Sequence, residues 1–161
     1  MKTAGAFKAV KRSELPMGSK ILSSTWAMKK KANGKYQARL NTRGFEQLSG
    51  LHYFEDDTSS PTANDVTIRV LLVIMLMTNF MANIMDVKGA FLLGRFEKGE
   101  ELFMEIPQGF EKYFSKNEVI KLLVPICRLK QAARAFCKEL VAAARHMNME
   151  RNKIDPCVFF K

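Results

Sequence analysis

Sixteen consecutive uncharged residues, Val70 to Met85, constrain this chain more than anything else in it. A stretch of that kind is expected to be buried. Thr78, Asn79 and Asn83 interrupt it, and it falls short of the roughly 18–20 apolar residues a membrane span needs. A buried helix followed by a strand accounts for it better. DVTIRVLLVIMLM predicts a helix over about Asp65–Met77, apolar nearly all round and therefore expected to be covered on several sides. Asn64 or Asp65 is placed to cap it, and Thr78-Asn79 ends it. FMANIMD then alternates weakly and predicts a strand ending at Asp86.

Composition narrows the class. With 161 residues, 47% hydrophobic and 26% charged, the chain is neither a disordered tail nor a collagen nor a disulfide scaffold. Its 26 Lys+Arg against 16 Asp+Glu give +10, a surplus that favours a polyanionic partner such as nucleic acid. The charge is uneven: net +9 over residues 1–50, −5 over 51–110 and +6 over 111–161. Carboxylates for a cation, flanked by basic segments for a polyanion, would suit a metal-dependent enzyme acting on phosphates; solvated charge runs on a basic protein produce the same tally. Three cysteines without a C-x-x-C and only two histidines, His52 and His146, make zinc a poor expectation. Reduced, partly buried thiols fit a cytosolic or nuclear setting. The opening MKTAGAFKAVKRSELP has no apolar core of a secretory signal.

Elsewhere the local signals alternate between strand and helix. Asn33-Gly34 between TWAMKKKA and KYQARL predicts a two-residue type I′ hairpin. On its second strand Lys35, Gln37 and Arg39 share one face, and Tyr36, Ala38 and Leu40 the other. GAFLLGRF suggests a short helix and Leu102–Ile106 a strand. Lys121–Ile126 is a further strand whose end Pro125 demotes to an edge or bulge. Leu129–Met149 reads as a helix with Leu129, Ala133, Phe136, Leu140, Ala144 and Met147 as its apolar side and Lys130, Arg134, Lys138 and Arg145 as a basic stripe. CVFFK looks like a strand. The expected fold class is α+β, a mixed sheet with helices on one face.

Several residues invite a chemical reading, each beside a plainer one. Asp86, at the end of an apolar strand and before a Gly-containing turn, can hold a divalent cation or cap the next short helix. Lys35 and Arg39 can grip phosphates or simply keep a hairpin soluble. The basic stripe is a phosphate contact or a solvated face, and Phe91 a core residue or a pocket wall near Asp86. Phosphate-binding glycine loops and the G-x-S-x-G elbow are absent.

Taken in order, SKILSSTWAMKKKANGKYQARLNTRGFEQ, TIRVLL, MDVKGAFLLG, ELFMEIPQGF, LKQAARAF and DPCVFF resemble the opening of copia-type (pseudovirus) retrotransposon reverse transcriptases. The resemblance spans about residues 16–161 and leaves 1–15 uncovered. It implies a truncated right-hand polymerase, with a fingers hairpin and a partial palm sheet with packed helices, that carries out RNA-directed DNA synthesis with Mg²⁺. Template–primer of RNA or DNA and deoxynucleoside triphosphates would be its partners. By the same resemblance, Asp86 is the first catalytic aspartate and a ligand of both metal ions, assisted by the Val87 carbonyl. Phe91 lies under the incoming sugar, Arg39 and less securely Lys35 meet the triphosphate, and Gln131 lines the nucleotide pocket. The family works in the cytoplasm or nucleus, within a virus-like particle, and not as a secreted or membrane protein.

The departures are equally specific. The family's Tyr/Phe-x-Asp-Asp pair does not occur before Lys161, so the chain is expected to be inactive alone, with a non-catalytic nucleic-acid-binding remnant or a decayed, poorly folding product as alternatives. Where the family has L-Y-G-L-K-Q-A, this chain reads I-C-R-L-K-Q-A. Arg128 thus stands at a glycine, and Ala133 at a frequent proline. If the glycine position has positive φ or a close backbone contact, Arg128 is strained there.

Overall fold

The computed structural model describes residues 5–161; the first four residues of the opening segment lie outside the described residues. Among the described residues eight strands and two helices form an α+β arrangement. A four-stranded sheet holds β1 (Phe7–Lys11), β6 (Glu118–Leu122), β5 (Leu102–Met104) and β2 (Ile21–Leu22) in that spatial order. β6 is antiparallel to both β1 and β5, and β2 runs parallel to β5. The core sits on this sheet. Leu22, Leu102, Met104, Ile120 and Leu122 are joined there by Ile126, Leu129 and Ala132, with Phe7, Leu40, Phe91, Leu92 and Phe96 packed around them. Segments far apart in sequence meet here because each is too short to bury its own apolar side.

β3 (Ser24–Lys30) and β4 (Tyr36–Thr42) make a separate hairpin, paired from Ser24 with Thr42 to Lys30 with Tyr36. Its turn differs from the expected one. The Gly34 N–H donates to the Lys31 carbonyl at 2.9 Å and Gly34 has φ of 78°, whereas Asn33 stays at negative φ. A type I′ turn needs both central residues at positive φ. The chain instead turns over Lys31–Gly34 and leaves glycine alone in the left-handed region, while Asn33 Oδ1 accepts from the Lys35 N–H. The Leu40 side faces the sheet: Ala38 and Leu40 line an apolar cavity of about 550 Å³ with Trp26, Phe110 and Tyr113. Trp26 stacks on Phe110 at 5.6 Å and donates to the Gln108 carbonyl.

α1 spans Asp65–Thr78, one residue beyond the expected helix; Asn64 caps it through Oδ1, which accepts from the Val66 N–H, and Asn79 closes it at φ 54°. The expected burial is not there. No residue of α1 is buried, and Leu76 and Met77 are 76% and 80% exposed. Periodicity shows that a helix wants cover, but among the described residues no sheet or second helix lies across it. The strand expected to end at Asp86 is also absent: residues 80–87 take no regular structure, and Ile84 and Met85 are almost fully exposed. A strand persists only where a neighbour receives its backbone hydrogen bonds, and none is offered to this segment among the described residues.

The later elements follow the sequence more closely. A 3-10 turn at Ala90–Leu93 replaces the short helix. β6 lies three residues ahead of the expected strand and stops before Pro125, which is buried. α2 spans Ala132–His146, and Ala132, Ala135 and Ala144 form its buried side. Ala133, Leu140 and Met147, expected inside, are exposed. The reason is close approach: a Cβ on Gly94 would come within 2.9 Å of the Ala135 Cβ, so the small residues sit at the contact. β7 (Glu150–Arg151) pairs antiparallel with β8 (Phe159–Phe160). Cys127, Cys137 and Cys157 are free thiols, each partly buried.

Candidate functional site

The residues singled out from sequence fall into two environments. Lys35 sits at the hairpin turn and Arg39 on β4 opposite Ala27, both exposed. Their neighbour Tyr36 lies under the Lys30 ammonium, 5.6 Å from the ring centre. Asp86 and Val87 are exposed in the irregular stretch after α1. Among the described residues Asp86 makes no hydrogen bond or ion pair, and none joins it to Lys35 or Arg39. Phe91 is different: it lies on the Ala90–Leu93 turn and packs against the core cluster. The Asp-Val-Lys-Gly turn places Gly89 at φ 66° ahead of it, so the chain reverses directly after the carboxylate.

Gln131 is 3% exposed and sits at the centre of a polar knot. Its Oε1 accepts from Gln47 Nε2 at 2.9 Å, and its Nε2 donates to the His52 carbonyl at 3.0 Å. Gln47 Oε1 accepts in turn from the Lys130 N–H. The His52 Nδ1 accepts from the Leu48 N–H at 2.9 Å, which leaves the proton of a neutral ring on Nε2. Burial holds the His52 imidazole below its usual range, with the Lys20 carbonyl opposing and the Lys20 charge reinforcing that shift. Lys130 reaches over the Tyr53 ring and donates to its hydroxyl at 2.6 Å. All buried polar atoms named here are paired, as a buried network requires.

The knot fastens the Cys127–Gln131 loop to residues 42–53. The Thr42 N–H donates to the Cys127 carbonyl. A Cβ on Gly44 would lie 1.9 Å from the Arg128 carbonyl oxygen, so only glycine fits. Arg128 itself has φ of 71°. Both conditions under which Arg128 was expected to be strained are therefore met: a left-handed backbone and a close backbone contact.

His52, expected from sequence to be a surface or satisfied polar residue, is buried and satisfied. Gln47 and His52 carried no motif signal, because their partners lie about 80 residues away in the chain. Asp155 lies in the D-P-C motif, which by itself marks no partner for it. It is buried, its Oδ2 accepts from the Asn64 N–H and its Oδ1 from the Cys157 N–H. Those bonds, with the Thr67 hydroxyl, hold its carboxyl below the usual range and pin the segment before β8 to the N-terminal end of α1.

As a metal site, the donors around Asp86 are few. One carboxylate and the Val87 carbonyl supply two oxygens where two Mg²⁺ ions need several carboxylate, phosphate and water ligands each. No group of three or more His, Cys, Asp or Glu that could hold a metal gathers among the described residues. The residues present do not by themselves fit a metal pair. No described helix is long and apolar enough to cross a membrane.

A family model described as Reverse transcriptase (RNA-dependent DNA polymerase) matches residues 7–161. The Retrovirus-related Pol polyprotein from transposon TNT 1-94 of Nicotiana tabacum is 36% identical over 162 residues, which covers 98% of this chain and 12% of that protein. The corresponding polyproteins from transposons RE1 and RE2 of Arabidopsis thaliana are each 34% identical, over 74% and 78% of this chain and 8% and 9% of their own lengths. The chain thus spans about a tenth of the length of these curated relatives. No solved structure matches it.

Proposed function

Because the chain belongs to the reverse transcriptase (RNA-dependent DNA polymerase) family, we propose that it is the fingers and incomplete palm of a copia-type retrotransposon polymerase, one that builds DNA on a nucleic-acid template from deoxynucleoside triphosphates. The observation that carries the reading is the family match along almost the whole chain, residues 7–161. Asp86 is assigned as one metal-binding carboxylate of the working enzyme, with the Val87 carbonyl beside it. Asp86 and the Val87 carbonyl would be among the ligands of Mg²⁺, which would supply Lewis-acid chemistry for phosphoryl transfer. A metal pair takes more oxygen ligands than Asp86 and Val87 supply.

The chain's own contribution is positioning and charge. Arg39 and Lys35, on an exposed hairpin, are free to meet a triphosphate, Arg39 through two parallel N–H donors. Phe91, packed against the core, is assigned as the side chain under the incoming sugar. Gln131 shapes the nucleotide pocket through the loop it anchors, since both ends of its amide are engaged. Reading the hairpin as fingers and the region around Asp86 as the start of the palm is part of the same proposal.

The test is a graft. Residues 7–161 replace their counterpart in the tobacco TNT 1-94 polyprotein, and Mg²⁺-dependent primer extension is measured. The expected result is extension by the graft, reduced to background by Asp86→Asn, and none by the isolated chain. A folded graft that extends primers equally well with Asn at position 86 overturns the assignment of Asp86. A folded graft that binds primer–template without ever extending it favours the non-catalytic nucleic-acid-binding remnant.

A further inference from the structure

A cavity of about 400 Å³ opens between α2, the Ser59–Pro61 loop and β7. Arg134, Lys138 and Arg145 line it from α2 and Arg151 from β7, with Cys137 in the wall between them. The α2 cations are spaced by four and seven residues, close to whole helical turns, so they project to one side. No carboxylate lines the cavity among the described residues. Lys138 is offset by an ion pair with Glu97. Arg151 donates to the Pro156 carbonyl and Arg134 to the Asp56 carbonyl. The Pro156 carbonyl, being neutral, orients the Arg151 guanidinium without cancelling its charge. Arg145 and Arg151 take part in no ion pair among the described residues.

Cations gathered in one concave space repel each other and focus a positive potential there. An anion of matching extent relieves that repulsion. We propose that this cavity is a binding site for two adjacent phosphate groups, as found in pyrophosphate or along a nucleic-acid backbone, with Arg145 and Arg151 as its principal contacts. Guanidinium forks suit phosphate oxygens better than any other side chain does. The site uses neither Asp86 nor the hairpin, and it stands independently of the polymerase reading.

Titration calorimetry with pyrophosphate at constant ionic strength tests it on the 161-residue chain. Wild type is expected to bind saturably. The Arg145→Gln/Arg151→Gln variant, checked for folding by circular dichroism, should lose about tenfold or more in affinity. Lys8→Gln/Lys11→Gln, which removes the same charge from exposed positions on β1 outside the cavity, should bind as wild type does. A second readout needs no variant: pyrophosphate should slow alkylation of Cys137, which lines the cavity, and leave Cys127, which does not, unaffected. A single-stranded RNA oligonucleotide forms the other arm. If the double variant loses RNA along with pyrophosphate, the natural ligand is a backbone; if it loses pyrophosphate alone, a free oligophosphate. Unchanged pyrophosphate affinity in the folded double variant, or absence of both saturable binding and Cys137 protection in wild type, overturns the proposal.

Discussion

Arg128 carries a backbone conformation that costs an L-residue roughly 1–2 kcal/mol, and its carbonyl is pressed against Gly44. Arg128→Gly relieves that cost but gives the unfolded chain more freedom, worth about 0.4–1 kcal/mol in the opposite direction. The expected net gain is about 0.5–1 kcal/mol, read as a higher urea midpoint with an unchanged slope. Gly44→Ala should do the reverse and lower the midpoint sharply, because its Cβ meets backbone that cannot move aside. His52 sets a pH dependence. Its folded-state pKa lies below the ordinary 6.5, so between those two values the unfolded chain binds a proton that the folded chain refuses. Stability is full above about pH 6.5 and falls as pH drops through that value, levelling only below the folded pKa. Melting curves from pH 7.5 to 5 should show this, and His52→Asn, whose side-chain oxygen can still accept from Leu48, should flatten it. The carboxylates with lowered pKa, Glu46 and Asp155, act in a separate window: their stabilisation holds above the ordinary carboxylate range and disappears at more acidic pH.

α1 is the clearest case of an element whose start and stop were legible and whose surroundings were not. Asn64 and Asn79 delimit it through interactions confined to a few residues. Its apolar circumference depends on what is laid over it, and that is not local information. Asp155 supplies a contact that ties the start of the helix to the segment before β8. Asp155→Ala should therefore speed amide exchange in the first turn of α1 and around Cys157 while leaving β1, β5 and β6 protected, as measured by hydrogen–deuterium exchange. Equal acceleration in the four-stranded sheet would mean that Asp155 supports the whole molecule instead. α2 shows the converse. Its helical spacing was plain, but the buried side consists of alanines, because Gly94 brings a neighbouring turn too close for larger residues.

Across the whole molecule, charge and apolar surface divide the work. The hairpin and α2 carry exposed cations, while the stretch from Val66 to Met85 leaves a broad apolar area uncovered. Primer–template binding should therefore be electrostatic. Affinity is expected to fall by about tenfold or more between 50 and 200 mM salt, measured by filter binding. A salt-independent affinity would mean that the apolar surface, rather than the basic segments, captures nucleic acid.

Local chemistry alone determined the family motifs, the hairpin, both helices and the capping of α1. Each rests on interactions between residues within a few positions of one another, or on residue types that a motif requires. The form of the hairpin turn over Lys31–Gly34, the Gln47–Gln131–His52 knot, the strain at Arg128 and the exposure of α1 and Asp86 were decided only in three dimensions. Hydrogen-bond partners some 80 residues apart, the space available for a Cβ and the presence or absence of a covering layer arise when separate segments meet, and no stretch of sequence records them by itself.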